Sequence, residues 1–187
     1  MRYSPHILYR DKEREVEKME HWTVISPYEL DPVFDRIGRQ WMLISASDGK
    51  RANTMTASWG GLGILWNHPV AFCFIRPSRY TFSVIENTDA LSLSFLPPEC
   101  RPALRFCGAH SGRKLSDKWS AAGLTLAGED GIPYPAEAQT VLLCRKLYTD
   151  DLRAQRFLTS EPLHSCYKDG DFHRFFVCRI EKVLKKG

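Results

Sequence analysis

The chain lacks most of the short signatures that announce a chemistry. Its six cysteines, Cys73, Cys100, Cys107, Cys144, Cys166 and Cys178, include no C-x-x-C pair. A zinc knuckle or a thioredoxin-type centre needs that spacing, so neither is indicated. The six histidines do not gather with carboxylates at metal-ligand spacing, and no metal site is expected. There is no G-x-x-x-x-G-K-[ST], no H-E-x-x-H and no G-x-S-x-G. Gly61-Leu-Gly63 begins like a dinucleotide-binding loop, but position 66 is Trp, so the G-x-G-x-x-G spacing fails. No apolar run approaches a membrane span, and Met1 to Glu20 has no apolar h-region. A formal net charge of +4 over 187 residues is too small and too dispersed for a nucleic-acid surface. The expected setting is a reducing cytoplasm, with the thiols free and mostly packed in apolar strands.

What is present reads as one globular domain over residues 1–187. Hydrophobic residues make up 43% and charged residues 26%, so the chain can bury a real core. Residues 1–21 carry the mixed-charge run Arg10 to Lys18 and read as a solvated N-terminal arm. Trp22 to Ile25 reads as a short strand. Leu30 to Gly38 reads as a short helix with Asp31 capping and Pro32 at its first position. Strands are expected at Trp41–Ser47, Arg51–Ser58, Pro69–Ile75, Leu91–Phe95, Thr140–Tyr148 and Phe172–Val183. Helices are expected at 78–87, Glu99–Cys107 and Leu115–Ala122. Residues 60–68 read as an irregular connection or bulged strand, 127–138 as a loop, and His164–Gly170 as a turn. Strands dominate without a βαβ rhythm, so the class is α+β, mainly β. An antiparallel barrel with short peripheral helices fits better than a doubly wound sheet.

The chain is organised around residues 52–81. Asn53-Thr-Met-Thr-Ala-Ser-Trp59 is polar and hydroxyl-rich, while Pro69 to Ile75 is apolar on both alternating faces. Arg76-Pro-Ser-Arg-Tyr-Thr81 then sets two guanidiniums and two hydroxyls around an expected helix start, with Ser78 as N-cap. Free amides at a helix start, the helix dipole and two arginines make a plausible phosphate nest. The same residues could equally be an ordinary capped helix with solvated arginines.

Two further blocks give the pattern its specificity. One is Cys107-Gly-Ala-His-Ser-Gly-Arg113 with Asp117-Lys118-Trp119, and the other is Gly170-Asp-Phe-His173. Together, in this order, the four blocks resemble the flavin reductase-like family of FMN-binding split barrels, whose members include flavoredoxins and small flavin reductases. The likeness covers roughly residues 20–184.

The resemblance implies a split β-barrel of Greek-key antiparallel type and noncovalent FMN. It implies that Arg76, Ser78, Arg79, Tyr80 and Thr81 hold the phosphate. Asn53, Thr54, Met55, Thr56, Ala57, Ser58 and Trp59 would meet the ring edge and face. Trp66 is an alternative ring partner. Cys107, Gly108, His110 and Ser111, with Arg113, would approach the flavin or a partner subunit's site, or else form an exposed connection. Lys118 would face either the phosphate or solvent. Cys107 adjoins the site, but nothing in the sequence activates its thiol. The catalytic residue is unknown. His173 is a candidate, but Phe172 shifts it by one residue from the family's Gly-Asp-His, and in a strand that shift turns a side chain to the other face.

On this reading the protein is an NAD(P)H-dependent reductase of flavin or another small acceptor. An FMN electron carrier served by a redox partner protein is the alternative, and haem or a pyridoxal-type phosphate is a third possible ligand. A homodimer with FMN near the interface is expected, with no nucleic acid and no membrane.

Overall fold

The computed structural model describes residues 32–115 and 117–186. The N-terminal arm, the strand expected at Trp22–Ile25 and the Asp31 cap lie outside the described residues. The first described element is a short helix, α1 (Pro32–Asp35), which runs into a π-helical turn at Arg36–Gln40.

One seven-stranded antiparallel sheet carries the fold, in the order β2-β1-β5-β8-β9-β4-β3. Its strands are β1 (Met42–Ser47), β2 (Ala52–Ala57), β3 (Gly60–Leu65), β4 (His68–Ile75), β5 (Ala90–Phe95), β8 (Thr140–Asp151) and β9 (Arg174–Lys185). A hairpin, β6 (Leu126–Glu129) and β7 (Ile132–Pro135), stands apart from it.

The strand order dictates the curvature. β2 and β3 are the two outer strands, yet only Ser58 and Trp59 join them. Strands lie about 4.8 Å apart, so a flat sheet of this width would hold its edges almost 30 Å from each other. Such a link spans at most about 10 Å. The sheet must therefore curl until its edges meet. No ladder pairs β2 with β3, so the barrel is split along that line. This open sheet is the split antiparallel barrel that the resemblance implies.

Both faces of the curled sheet are covered where the site lies. In β1, Met42, Ile44 and Ala46 point into the barrel core with Phe176 and Ile85, while Leu43 packs outward with Leu104 and Trp119. This is the period-two alternation of a strand buried on two sides. The outer cluster seats α3 (Arg101–Ala109) and α4 (Lys118–Ala121) against β1 and β2. α2 (Tyr80–Glu86) buries Phe82, Val84 and Ile85 in the barrel end. Removing a fully buried Phe or Ile of this kind forfeits about 3 kcal/mol or more.

Several expected elements need correction. Residues 60–68 form a regular hairpin, β3 to β4, closed by Trp66 and Asn67 at φ of 50° and 60°. Two left-handed central residues make a type I′ turn, which suits the twist of the strands. Residues 127–138 are mostly the β6–β7 hairpin and not a loop, turned by Asp130 and Gly131 at φ of 53° and 78°. The turn expected at His164–Gly170 is in part the helix α5 (Glu161–Cys166). The last strand begins at Arg174, not Phe172.

Candidate functional site

Three elements converge at the split end of the barrel: β2, the β4–α2 corner and the end of α3. They enclose a cavity of about 410 Å³. Its walls include Asn53 and Met55 of β2, and Arg76, Ser78, Arg79, Tyr80 and Thr81 of the corner. Cys107, Ala109, His110, Ser111, Gly112, Lys118 and Asp171 complete it. A second cavity of about 180 Å³ shares Met55, Arg76 and Arg79 with the first. It is lined further by Thr56, Ala57, Ser58, Trp59, Phe74 and His173. The two are therefore neighbours across a pair of arginines, one cavity cationic and polar, the other walled by aromatic rings.

The corner is built differently from the sequence expectation. α2 starts at Tyr80, with Arg79 in the cap position and no side-chain cap. Ser78 is not the N-cap, because its hydroxyl donates to the Asp171 carboxylate at 2.6 Å. Arg76 does not point freely at a ligand. It donates to the carbonyls of Asp171 at 2.9 Å and Cys166 at 2.8 Å, and it lies 3.7 Å from the Asp171 carboxylate. It thus ties the segment before β9 to the site. Arg79 uses one nitrogen on the Gly108 carbonyl at 3.0 Å and keeps its remaining donors. Thr81 accepts from Asn53 Nδ2 at 2.9 Å, which locks β2 to α2 beneath the cavity floor. Tyr80 accepts from Arg51 at 2.8 Å, and its ring lies 5.5 Å from both the Arg51 and the Arg113 guanidinium.

Lys118 faces neither solvent nor an open anion site alone. The Asp117 side chain caps α4 by accepting the Ser120 amide at 3.0 Å, and that start turns Lys118 inward. The residue is 5% exposed, and its ammonium donates to the Thr54 and Cys107 carbonyls, each at 2.8 Å. Burial lowers its pKa, and the nearby Arg79 adds to that effect. An ammonium has three protons, so one remains for the cavity.

Thr54 and Gly108 are not brought to either cavity wall. The Thr54 hydroxyl is sealed, accepting from Ser45 and donating to the Ile44 carbonyl. Gly108 serves packing: a Cβ there would lie 3.4 Å from Thr56 Cβ. Gly112, which the sequence reading did not place in the site, is needed more sharply. A Cβ there would stand 2.2 Å from Asn53 Oδ1 and 3.1 Å from the Tyr80 ring. Cys107 is buried, and burial pushes its thiol pKa up, which suits a packing thiol and not a nucleophile. His110 is stacked on Phe106 with centroids 4.1 Å apart, so it sits at the rim.

His173 lies just ahead of β9, so the strand-face argument does not apply to it. Its ring lines the aromatic cavity, 4.9 Å from the Trp59 ring, and hydrogen-bonds through Nδ1 to the Tyr167 hydroxyl at 2.9 Å. Trp66, by contrast, stands at the β3–β4 turn beside Tyr148, outside both cavities. Asp171, Phe74 and Tyr167 are site residues that sequence reasoning missed. Asp171 lay inside a quoted block, and Phe74 inside the apolar strand. Tyr167 had no signal at all.

The described residues include no group of histidine, cysteine and carboxylate side chains that could hold a metal ion. No described helix is long and apolar enough to cross a membrane.

Comparison with known proteins gives the fold its relatives. An FMN-binding protein from Thermus thermophilus with bound p-hydroxybenzaldehyde is 20% identical, with 78% of this chain and 71% of that chain covered at a TM-score of 0.62. Flavoredoxin from Methanosarcina acetivorans is 21% identical, with 79% and 68% covered at a TM-score of 0.60. A Streptomyces globisporus NADH:FAD oxidoreductase is 16% identical, with 88% of each chain covered at a TM-score of 0.60. At these identities the likeness is one of fold. A search of curated proteins by sequence gave no match. The family model described as a flavin reductase like domain matches residues 34–186. With the match running from the first described helix to the end of β9, this chain belongs to the flavin reductase-like domain family.

Proposed function

We propose that this chain is an FMN-dependent oxidoreductase that takes electrons from NAD(P)H and passes them to free flavin or another small acceptor. The observation that carries the reading is the pairing of the two cavities across Arg76 and Arg79. The cationic cavity suits a phosphate monoester: Arg79 and Lys118 hold free protons there, and the Tyr80 and Thr81 amides have no acceptor among the described residues. The aromatic cavity suits a planar ring, with Trp59, Phe74 and His173 as walls and the end of β2 along one edge. Taken together as neighbouring halves of one site, the two cavities fall in the size range of small-molecule sites. Relatives described as an FMN-binding protein, a flavoredoxin and an NADH:FAD oxidoreductase support the same ligand class.

When bound, FMN supplies the hydride acceptor and electron donor. The chain's own task is to hold the phosphate, pack the ring and leave one ring face accessible. Anaerobic mixing of the FMN-loaded protein with NADH and with NADPH checks the enzymatic step. Rapid bleaching of the flavin absorbance with one of them is expected. Full FMN loading with no bleaching by either would overturn the reductase reading in favour of an electron carrier served by a protein partner.

The proposal includes a homodimer. β3 is an outer strand that begins directly after Trp59, and it leaves Leu62, Ile64 and Trp66 at 38%, 72% and 53% exposed. Tyr148, 46% exposed, extends this strip beside Trp66. An apolar edge of this kind invites cover, and a second copy on it would stand at the mouth of the aromatic cavity. Sedimentation of the FMN-loaded protein should give a dimer, with an interface of about 2,000 Å² or more. A monomer at micromolar concentration with full FMN occupancy would exclude a shared site.

A further inference from the structure

His173 is 8% exposed, and among the described residues only one of its two ring nitrogens has a partner. Nδ1 faces the Tyr167 hydroxyl at 2.9 Å. Nε2, on the opposite edge, has no hydrogen-bond partner among the described residues, and the ring lines the aromatic cavity. The ring is steadied by Trp59 at 4.9 Å, and the His173 carbonyl accepts the Leu152 amide at 2.9 Å.

Tyr167 is itself held firmly. It stacks on Phe172 with centroids 4.8 Å apart, meets Phe157 at 5.7 Å and lies under the Arg76 guanidinium at 5.3 Å. Its hydroxyl has no partner but His173 among the described residues. A phenol carries one proton to donate, and a neutral imidazole has one bare nitrogen to accept it. If Nδ1–H donated instead, the phenol proton would have no acceptor among the described residues, whereas with Tyr167 donating to Nδ1 the remaining proton faces the cavity. The ring's own proton then sits on Nε2.

We propose that Tyr167 is a positioning residue that fixes His173 as the neutral Nε2–H tautomer, so that the aromatic cavity presents a hydrogen-bond donor to an oxygen or nitrogen acceptor on the planar ligand within it. The tautomer is inferred from the protein's own contacts. The ligand's identity rests on the flavin reading above. With Arg79 lining the same cavity and Arg76 adding positive charge, the wall favours neutral or anionic ring ligands and their acceptor edges over cations.

The surrounding charges point the same way. Burial, then Arg76 and Arg79 from the β4–α2 corner, holds the imidazole pKa down at about 4, with Asp171 opposing from the preceding segment. Burial also raises the Tyr167 pKa, so the phenol keeps its proton. His173 therefore stays a fixed donor near neutral pH and does not shuttle protons.

Nitrogen-15 NMR of the histidine side chains in the full-length protein tests this, without ligand and with saturating FMN, from about pH 5.5 to 8. The expected result is one tautomer, protonated at Nε2 and bare at Nδ1, with no titration across the range. Tyr167→Phe keeps the ring packing and removes the donor. It should mix the tautomers, while the titration, set by burial and the two arginines, stays below the range. FMN binding should weaken about tenfold at most, the loss of one hydrogen bond. A wild-type ring protonated at Nδ1 would overturn the proposal. So would a Tyr167→Phe tautomer spectrum that matches wild type. If the variant does not fold, the wild-type tautomer alone decides. Failure of FMN to bind, with the Nε2–H tautomer present, would overturn the flavin reading and leave the tautomer standing.

Discussion

Replacing Arg79 with alanine should weaken FMN at least about tenfold and leave riboflavin nearly unchanged. Of the two arginines between the cavities, Arg76 has both terminal nitrogens on main-chain carbonyls. Among the described residues Arg79 gives one bond, to Gly108, and keeps the rest of its fork for a ligand. A hydrogen bond to a charged group is worth about 1.5–3 kcal/mol, which corresponds to roughly a tenfold or greater change in affinity. Riboflavin has the same ring and no phosphate, so it reports any collapse of the cavity itself. Isothermal titration of both ligands separates the cases. Equal losses would mean that Arg79 supports the α3 end through Gly108 and does not meet the phosphate.

The second large effect is on stability in mild acid. The folded imidazole of His173 titrates near 4 against an ordinary value of 6.5, because burial and two arginines disfavour its charge. Above the ordinary value both states are neutral and the group has no effect. As pH falls below it, the unfolded chain takes up a proton that the folded chain refuses, so stability falls with it. The loss is complete below the folded value and amounts to about 3 kcal/mol. Asp48, Asp151 and Glu181, whose pKa values are lowered by hydrogen bonds, lose their contributions only at lower pH. Urea unfolding between about pH 7 and 4.5 should therefore show a steady decline in wild type and a flatter profile in His173→Gln. Parallel profiles would show that His173 is not the buried neutral group described here.

These effects also show where the sequence was informative. The blocks at 53–59 and 76–81 were legible because their residue types and order are specific, and the structure does bring them to one cavity. The role of each side chain was not legible. Ser78 looks like an N-cap, yet its hydroxyl meets Asp171, 93 residues later. Only tertiary contact decides between those two partners. Lys118 reads as facing either the phosphate or solvent, and it is buried because two main-chain carbonyls on different elements receive its protons. Trp66 and Asn67 turn a two-residue hairpin without the usual Asn-Gly, so the β3–β4 hairpin was hidden. The β6–β7 hairpin was not hidden. Asp130-Gly131 is a strong type I′ signal, and the prolines around it masked its weight. Tyr167 matters only through one contact to His173, and no local pattern marks it.

The central claim is that the paired cavities hold flavin mononucleotide. The absorbance spectrum of the purified protein, with its heat-released ligand identified by mass spectrometry, tests this most directly. The account predicts a yellow protein that releases intact FMN, or that takes up FMN in a one-to-one ratio per chain after soaking. Release of FAD, haem or a pyridoxal phosphate, or failure to bind FMN at all, would contradict it.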